Sequence, residues 1–186
     1  MTILIAGIIL WIGIHLIPSV GVQYKQALVD KMGMLAYRTA FALTILTALG
    51  LIIIGWQSTQ AVFVYLPIAE LRIFAIGLVM LAVVLLGATG RATRIGRLVR
   101  YPQLTAILVW AGAHLLVNGD SRSLILFGSA AFWAALMMVV ITRREGAWQK
   151  KPAPSWQIEL LGIALSLAAI AGIVIIHPWL TGMPIF

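Results

Sequence analysis

Six long apolar runs constrain the fold of this chain more than any other feature. They occupy roughly residues 2–20, 36–56, 68–88, 103–118, 122–141 and 157–177. A helix needs about 20 apolar residues to cross a bilayer. The runs are continuous rather than alternating, which favours helices over a β-barrel. The sequence therefore predicts an all-α, polytopic transmembrane helical bundle with about six spans, built as a single domain over residues 1–186.

Composition supports the membrane interpretation. Hydrophobic residues make up 62% of the chain and charged residues only 10%, against about 25% charged residues in ordinary soluble domains. A soluble fold of this length needs a more polar surface. The absence of cysteine excludes disulfides, thiolate metal sites and a cysteine nucleophile. The first run has no basic segment before it and contains Trp11 and His15, so we expect a retained helix rather than a cleaved signal peptide.

The basic residues predict an orientation. Three of them follow the first run, four follow the third and four follow the fifth, which places 11 of the 13 on one side. Basic loops stay cytoplasmic, so we expect both termini outside, which is the periplasm if the source is Gram-negative. The net charge of +8 is then explained by topology and anionic lipid, and we expect the lipid bilayer, not nucleic acid, as partner.

The stretch "WAGAHLLVNGD", residues 110–120, turns from apolar to polar within a few positions. Asn118-Gly119-Asp120 is typical of a tight turn between two helices, with Gly119 ending one and Asp120 capping the next. Prolines precede later runs, and Pro67 and Pro102 are expected in the first turns of the third and fourth helices.

Three histidines occur in the apolar runs: His15, His114 and His177. Ionisable groups in a bilayer are costly and are candidates for function. His177 precedes Pro178-Trp179 and fits an interfacial anchor. His15, near the cytoplasmic end of span one, and His114, near mid-membrane, leave two alternatives open. Each is a neutral imidazole bonded to a neighbouring helix, or the two are axial ligands of one haem iron. Zinc is disfavoured because no further ligands are evident.

Helical rise sets a condition on the haem alternative. At about 1.5 Å per residue, the two histidines lie at depths that differ by about 10 Å. Helix tilt and side-chain reach would have to absorb this difference. No nucleophile–base pair, P-loop or HExxH motif is present, so catalytic residues are unknown and enzymatic activity is left open.

Three separated motifs resemble the NnrU family of bacterial membrane proteins and the zeta-carotene isomerase family related to it. They are "GIHLIPSV" at 13–20, "RYPQL" to "HLLVNGDSRSLILFG" over 100–128, and "HPWLTGMP" at 177–184. Two positions depart from the pattern. Tyr101 replaces a histidine that relatives carry before the proline, and Ala111 replaces a cysteine of the isomerase branch.

The resemblance implies a cofactor and a biological setting. The isomerase branch holds haem b between histidines that match His15 and His114. The NnrU branch is associated with nitric oxide and nitrite reduction in denitrifying bacteria, without an established biochemical activity. The leading expectation is therefore haem b on these two metal-ligating histidines. Further candidates for cofactor binding are Trp110 and Asn118, which would line the pocket, and Arg97 and Arg100, which would hold propionates.

Two alternatives remain at this point. A cofactor-free assembly or interaction protein for respiratory complexes predicts that His114 merely forms a hydrogen bond, for example to a serine or threonine on another span. A carotenoid or polyene cis–trans isomerase predicts a lipophilic polyene, rather than nitric oxide, as the bound molecule. The departure at Ala111 argues mildly against the isomerase.

Overall fold

The computed structural model describes residues 1–89, 93–150 and 152–183, and over these ranges every named element is a helix. The α-helices are α1 (Thr2–Ser19), α2 (Val22–Met32), α3 (Met34–Ser58), α4 (Arg72–Gly87), α5 (Pro102–Val117), α6 (Ser121–Glu145) and α7 (Trp156–Thr181). Short 3₁₀ turns occupy Ala69–Leu71 and Ile95–Arg97. The all-α prediction is confirmed. Backbone contacts divide the chain into two compact units, Met1–Val62 and Phe63–Phe186, and the single domain expected over 1–186 stays a prediction.

The first unit is built on close backbone approach between α1 and α3. A Cβ atom on Gly55 of α3 would lie 2.3 Å from the backbone nitrogen of Leu4, and one on Gly7 of α1 would lie 2.8 Å from that of Ile52. Leu4 is fully buried. In a bilayer the hydrophobic effect does not drive helices together, so close van der Waals packing must do so, and small residues at the crossing allow it. The pairing of early α1 with late α3 makes the two helices antiparallel.

Helix α2 was not among the predicted elements. It follows span one, carries Lys25 and Lys31, and buries none of its residues. Gly33 separates it from α3 with a φ of +83°, a conformation that glycine adopts without a steric penalty.

The second unit contains α4 to α7. Helix α4 packs on α5, α5 on α6, and α7 on α4. A small core forms between α4 and α5, where close-packed alanines are surrounded by larger side chains. Its members are Ala82, Leu85 and Ala106, with Ile95, Val99, Val109 and Trp110 packed against them.

Within the described ranges, four helices are long and apolar enough to cross a membrane: α1, α3, α6 and α7. Helices α4 and α5 are apolar but have 16 residues each, about 24 Å at the usual rise, against a hydrocarbon core of about 30 Å. The structure thus supports a polytopic membrane protein. Six crossings and outward termini stay predictions.

Most helix ends lie within a few residues of the predicted limits. Pro102 occupies the first turn of α5, as expected. Helix α4, however, begins at Arg72, and a short irregular stretch followed by a 3₁₀ turn separates it from Pro67. The expectation that Pro67 would start this helix is therefore wrong. Helix α7 continues to Thr181 with Pro178 inside it.

Candidate functional site

His114 lies in the last turn of α5 rather than in the middle of the span. Its Nδ1 lies 2.9 Å from the carbonyl oxygen of Trp110, one turn earlier. A carbonyl only accepts, so Nδ1 carries the proton and the neutral ring has its lone pair on Nε2. Ligating histidines are commonly oriented in this way by a carbonyl on the other ring nitrogen.

Aromatic side chains hold the His114 ring. Phe127 of α6 stacks on it with ring centroids 4.4 Å apart and planes inclined by 25°. The ring of Trp110 lies 5.1 Å from His114 and meets Phe127 edge-to-face at 4.9 Å. The imidazole is thus packed between two helices of the second unit. Without a haem, we expected the His114 imidazole to form a hydrogen bond to a neighbouring helix. The hydrogen bond of Nδ1 instead stays within α5.

His15 repeats this arrangement in the first unit. Its Nδ1 lies 2.7 Å from the carbonyl oxygen of Trp11, and the two ring centroids are 4.4 Å apart. Phe41 of α3 meets the His15 ring edge-on at 5.8 Å. The sequences are "WIGIH" at 11–15 and "WAGAH" at 110–114. We name each W-x-G-x-H segment a Trp–His module. Sequence reasoning missed Trp11, although the repeated pattern could have identified it.

The turn after His114 contains a helix cap. Asp120 is the N-cap of α6, and its carboxylate accepts the N–H groups of Arg122 and Ser123, both at 3.1 Å. This part of the prediction is confirmed. Asn118 donates from its side-chain amide to the carbonyl of His114 at 2.9 Å. Asn118 and Trp110, both predicted to line a pocket, therefore contact the backbone or ring of His114.

Residues 63–68, which are part of the loop between α3 and α4, pack on this turn. The N–H groups of Val64 and Tyr65 lie 2.9 and 3.1 Å from the carbonyl oxygen of Gly119. The Tyr65 hydroxyl points at the carbonyls of Asn118, at 2.8 Å, and of Leu115. Burial, together with the nearby carboxylate of Asp120, raises the pKa of Tyr65 above its usual value of 10.0. The sequence carried no local signal for this contact.

Gly119 has a role beyond the one predicted. It was expected to end α5, and the helix does end just before it, at Val117. The glycines with positive φ in the described ranges are Gly33, Gly146 and Gly182, so Gly119 is not needed for a left-handed conformation. A Cβ atom on Gly119 would instead lie 1.8 Å from the carbonyl oxygen of Tyr65. Glycine is needed here because the loop backbone passes where a side chain would stand.

The arginines predicted to hold propionates lie at the opposite end of α5. Arg97 is exposed, and Arg100 donates to the carbonyl of Gly146 at 2.6 Å. Tyr101, which replaces the family histidine, lies 3.0 Å from the hydroxyl of Thr142. His114 is about 18 Å along the helix from Pro102. This separation disfavours contact between these arginines and a group bound at His114, so their role stays a prediction.

His177 lies in α7, and its Nδ1 is 3.1 Å from the carbonyl oxygen of Met183, beyond the helix end. It belongs to no Trp–His module. Among the described residues, no group of three or more histidine, cysteine or acidic side chains could hold a metal ion. Ligation of a haem iron by two histidines needs no such group.

The helices and their composition define a polytopic α-helical membrane protein with a histidine anchored in each of its two units. A family model described as "NnrU protein" matches residues 3–185. The chain therefore belongs to the NnrU family, as its motifs indicated. No curated protein and no solved structure gives a significant match.

Proposed function

We propose that this NnrU-family protein binds haem b, with His15 and His114 each supplying one axial nitrogen. The observation that carries the proposal is the repeated Trp–His module. In both modules a backbone carbonyl accepts a hydrogen bond from Nδ1–H, so the proton stays on Nδ1 and the lone pair is on Nε2. Neutral imidazole with one nitrogen anchored is the form that ligates haem iron.

The residues fit such a group in donor chemistry and in surroundings. Each imidazole packs on a tryptophan of its own helix and on a phenylalanine of another helix in the same unit. Aromatic walls of this kind suit a flat apolar macrocycle. When bound, haem b supplies one-electron redox chemistry. The protein's part is to keep each ring in one tautomer and one orientation.

The biological setting is proposed from the family. We propose an inner-membrane protein with cytoplasmic basic loops that serves nitric oxide or nitrite metabolism. Family membership is what supports this link.

Absorption spectroscopy of the detergent-purified full chain tests the haem. With ample haem during expression, we expect a Soret band, sharp reduced α and β bands, and about one haem per chain. His15→Ala and His114→Ala should each lose haem while still inserting into the membrane. His177→Ala is the matched control because this histidine lies outside both modules, and it should retain haem.

Two results would contradict the proposal. If the protein with both His15 and His114 replaced by alanine still binds haem, these two histidines are not its axial ligands. A colourless wild-type protein would favour a cofactor-free assembly role, in which the Trp–His modules serve packing alone.

A further inference from the structure

Arg94 is attached at two points to the first turn of α7. Its guanidinium carbon lies 3.9 Å from the centroid of the Trp156 ring. Its backbone N–H points at both carboxylate oxygens of Glu159, at 3.1 and 3.2 Å. Glu159 is 9% exposed. Backbone and side chain of Arg94 are therefore both held, and the guanidinium is presented in a defined orientation.

The guanidinium of Arg94 has N–H donors without an acceptor among the described residues. The Nε atom of Arg94 is buried and has no hydrogen-bond partner, and the ion pairs in the described part of the chain involve Arg122 and Arg144 instead. The carboxylate of Glu159 is directed at the backbone of Arg94. A guanidinium offers five N–H donors in a planar fork that matches phosphate oxygens. The described residues supply this fork with an aromatic face but no acceptor.

The position of Trp156 indicates where an acceptor would come from. Its side chain is 65% exposed, and Ile158 and Leu160 in the same turn are 45% and 63% exposed. These residues begin α7, which is long and apolar enough to cross a membrane. A tryptophan at the end of a span lies at the level of the lipid headgroups. The apolar neighbours would then face acyl chains.

Other cationic side chains lie at the same end of the second unit. Arg100 bonds to Gly146, just after α6, so the loop that carries Arg94 and Arg97 lies beside the end of that helix. The last turn of α6 contains Arg143 and Arg144. Such a cationic surface attracts anionic lipid headgroups.

We propose that Arg94 and Trp156 form a binding site for the phosphate group of an anionic phospholipid. The guanidinium fork binds the phosphate, Trp156 holds the fork flat at the interface, and Glu159 positions the loop. The apolar turn beside the site favours a lipid over a free anion, because the acyl chains gain contact with Ile158 and Leu160.

Native mass spectrometry of the full chain, titrated with phosphatidylglycerol or phosphatidylcholine, tests this site. The wild type should bind one phosphatidylglycerol molecule more tightly than further ones and more tightly than phosphatidylcholine. Arg94→Gln should weaken that first binding step about tenfold, the usual effect of losing a charged hydrogen bond. Arg143→Gln is the matched control, since it removes a cation from the same end without touching Trp156, and it should keep the tight step.

Trp156→Leu provides an independent variant, since it keeps an apolar side chain but removes the ring under the guanidinium. It should also weaken the first step, and it decides the matter if Arg94→Gln does not fold. Equal phosphatidylglycerol affinity in the wild type and these variants would overturn the proposal. So would equal affinity for phosphatidylcholine, or displacement of the bound lipid by millimolar inorganic phosphate, which would assign the site to a free anion.

Discussion

Replacing Gly119 by alanine tests how the loop 63–68 is held on the turn after His114. The added Cβ would lie 1.8 Å from the carbonyl oxygen of Tyr65 and 3.2 Å from Cδ of Pro67. A Cβ atom essentially never lies within 3.0 Å of a non-bonded backbone atom, so the loop must withdraw. Its withdrawal breaks the two hydrogen bonds from backbone N–H groups to the Gly119 carbonyl. It also breaks the hydrogen bond from the Tyr65 hydroxyl to the Asn118 carbonyl.

The magnitude follows from these three hydrogen bonds. Each contributes about 1 kcal/mol net, so their loss costs about 3 kcal/mol. Alanine lowers the entropy of the unfolded chain and offsets up to about 1 kcal/mol of this cost. The expected loss of about 2–3 kcal/mol corresponds to a Tm lower by about 4–12 °C for a chain of this size.

Thermal unfolding in detergent, followed by the fluorescence of the 7 tryptophans, measures the shift. Gly112→Ala is the matched control, because this glycine lies on α5 and nothing stands within 4 Å of its added Cβ. It should leave Tm unchanged or raise it, since alanine favours a helix over glycine by up to about 1 kcal/mol. If Gly119→Ala melts with the wild type, the loop does not dock on the turn and the reasoning fails.

Three further outcomes are expected. Asp120→Ala should lower the free energy of unfolding by about 1 kcal/mol, because the first turn of α6 loses its cap, whereas Asp120→Asn keeps an acceptor and should cost less in the same thermal assay. In an ultraviolet titration the Tyr65 phenol should ionise late, above its usual pKa of 10.0. Because the folded state holds this proton more tightly, its contribution to stability persists below pH 10 and is lost as pH rises through the raised pKa, and a Tyr65→Phe protein should lack the late transition. Gly55→Leu should prevent α1 from packing on α3 and abolish a cooperative melt, whereas Gly50→Leu on the same helix, with nothing within 4 Å of its Cβ, should melt near the wild type.

Local rules predicted the parts of the fold that depend on neighbours in sequence. Continuous apolar runs identified the long helices, Pro102 began α5, and Asp120 capped α6. Each of these features depends on a few adjacent residues and on their helical hydrogen bonds. They could therefore be inferred without knowledge of the fold.

Gly119 shows where local rules stop. Its neighbours suggested a helix-ending glycine, but its function depends on Tyr65, which precedes it by more than 50 positions and contacts it only in the folded chain. The same holds for Glu159, whose partner is the backbone of Arg94. A carboxylate near the end of an apolar run carries no sign of which N–H group it accepts.

The histidine site falls between these cases. His15 and His114 were identified as candidates from their position in apolar runs. The bond from Nδ1 to the preceding turn was not, because we expected partners on other helices. Since that bond lies within one helix, the spacing of Trp and His was sufficient to suggest it in both modules.

The contact between Arg94 and Glu159 also orders the events of biosynthesis. The two residues are 65 positions apart, so the bond forms only after α5, α6 and the first turn of α7 have left the ribosome. Until then Arg94 is held by neither Glu159 nor Trp156, although Ile95 and Val99 of the same loop can already pack on the core of α4 and α5. Arrival of α7 ends that period, because Glu159 and Trp156 then fasten Arg94. Helix α7 thus completes the attachment of a loop that α4 and α5 only partly hold.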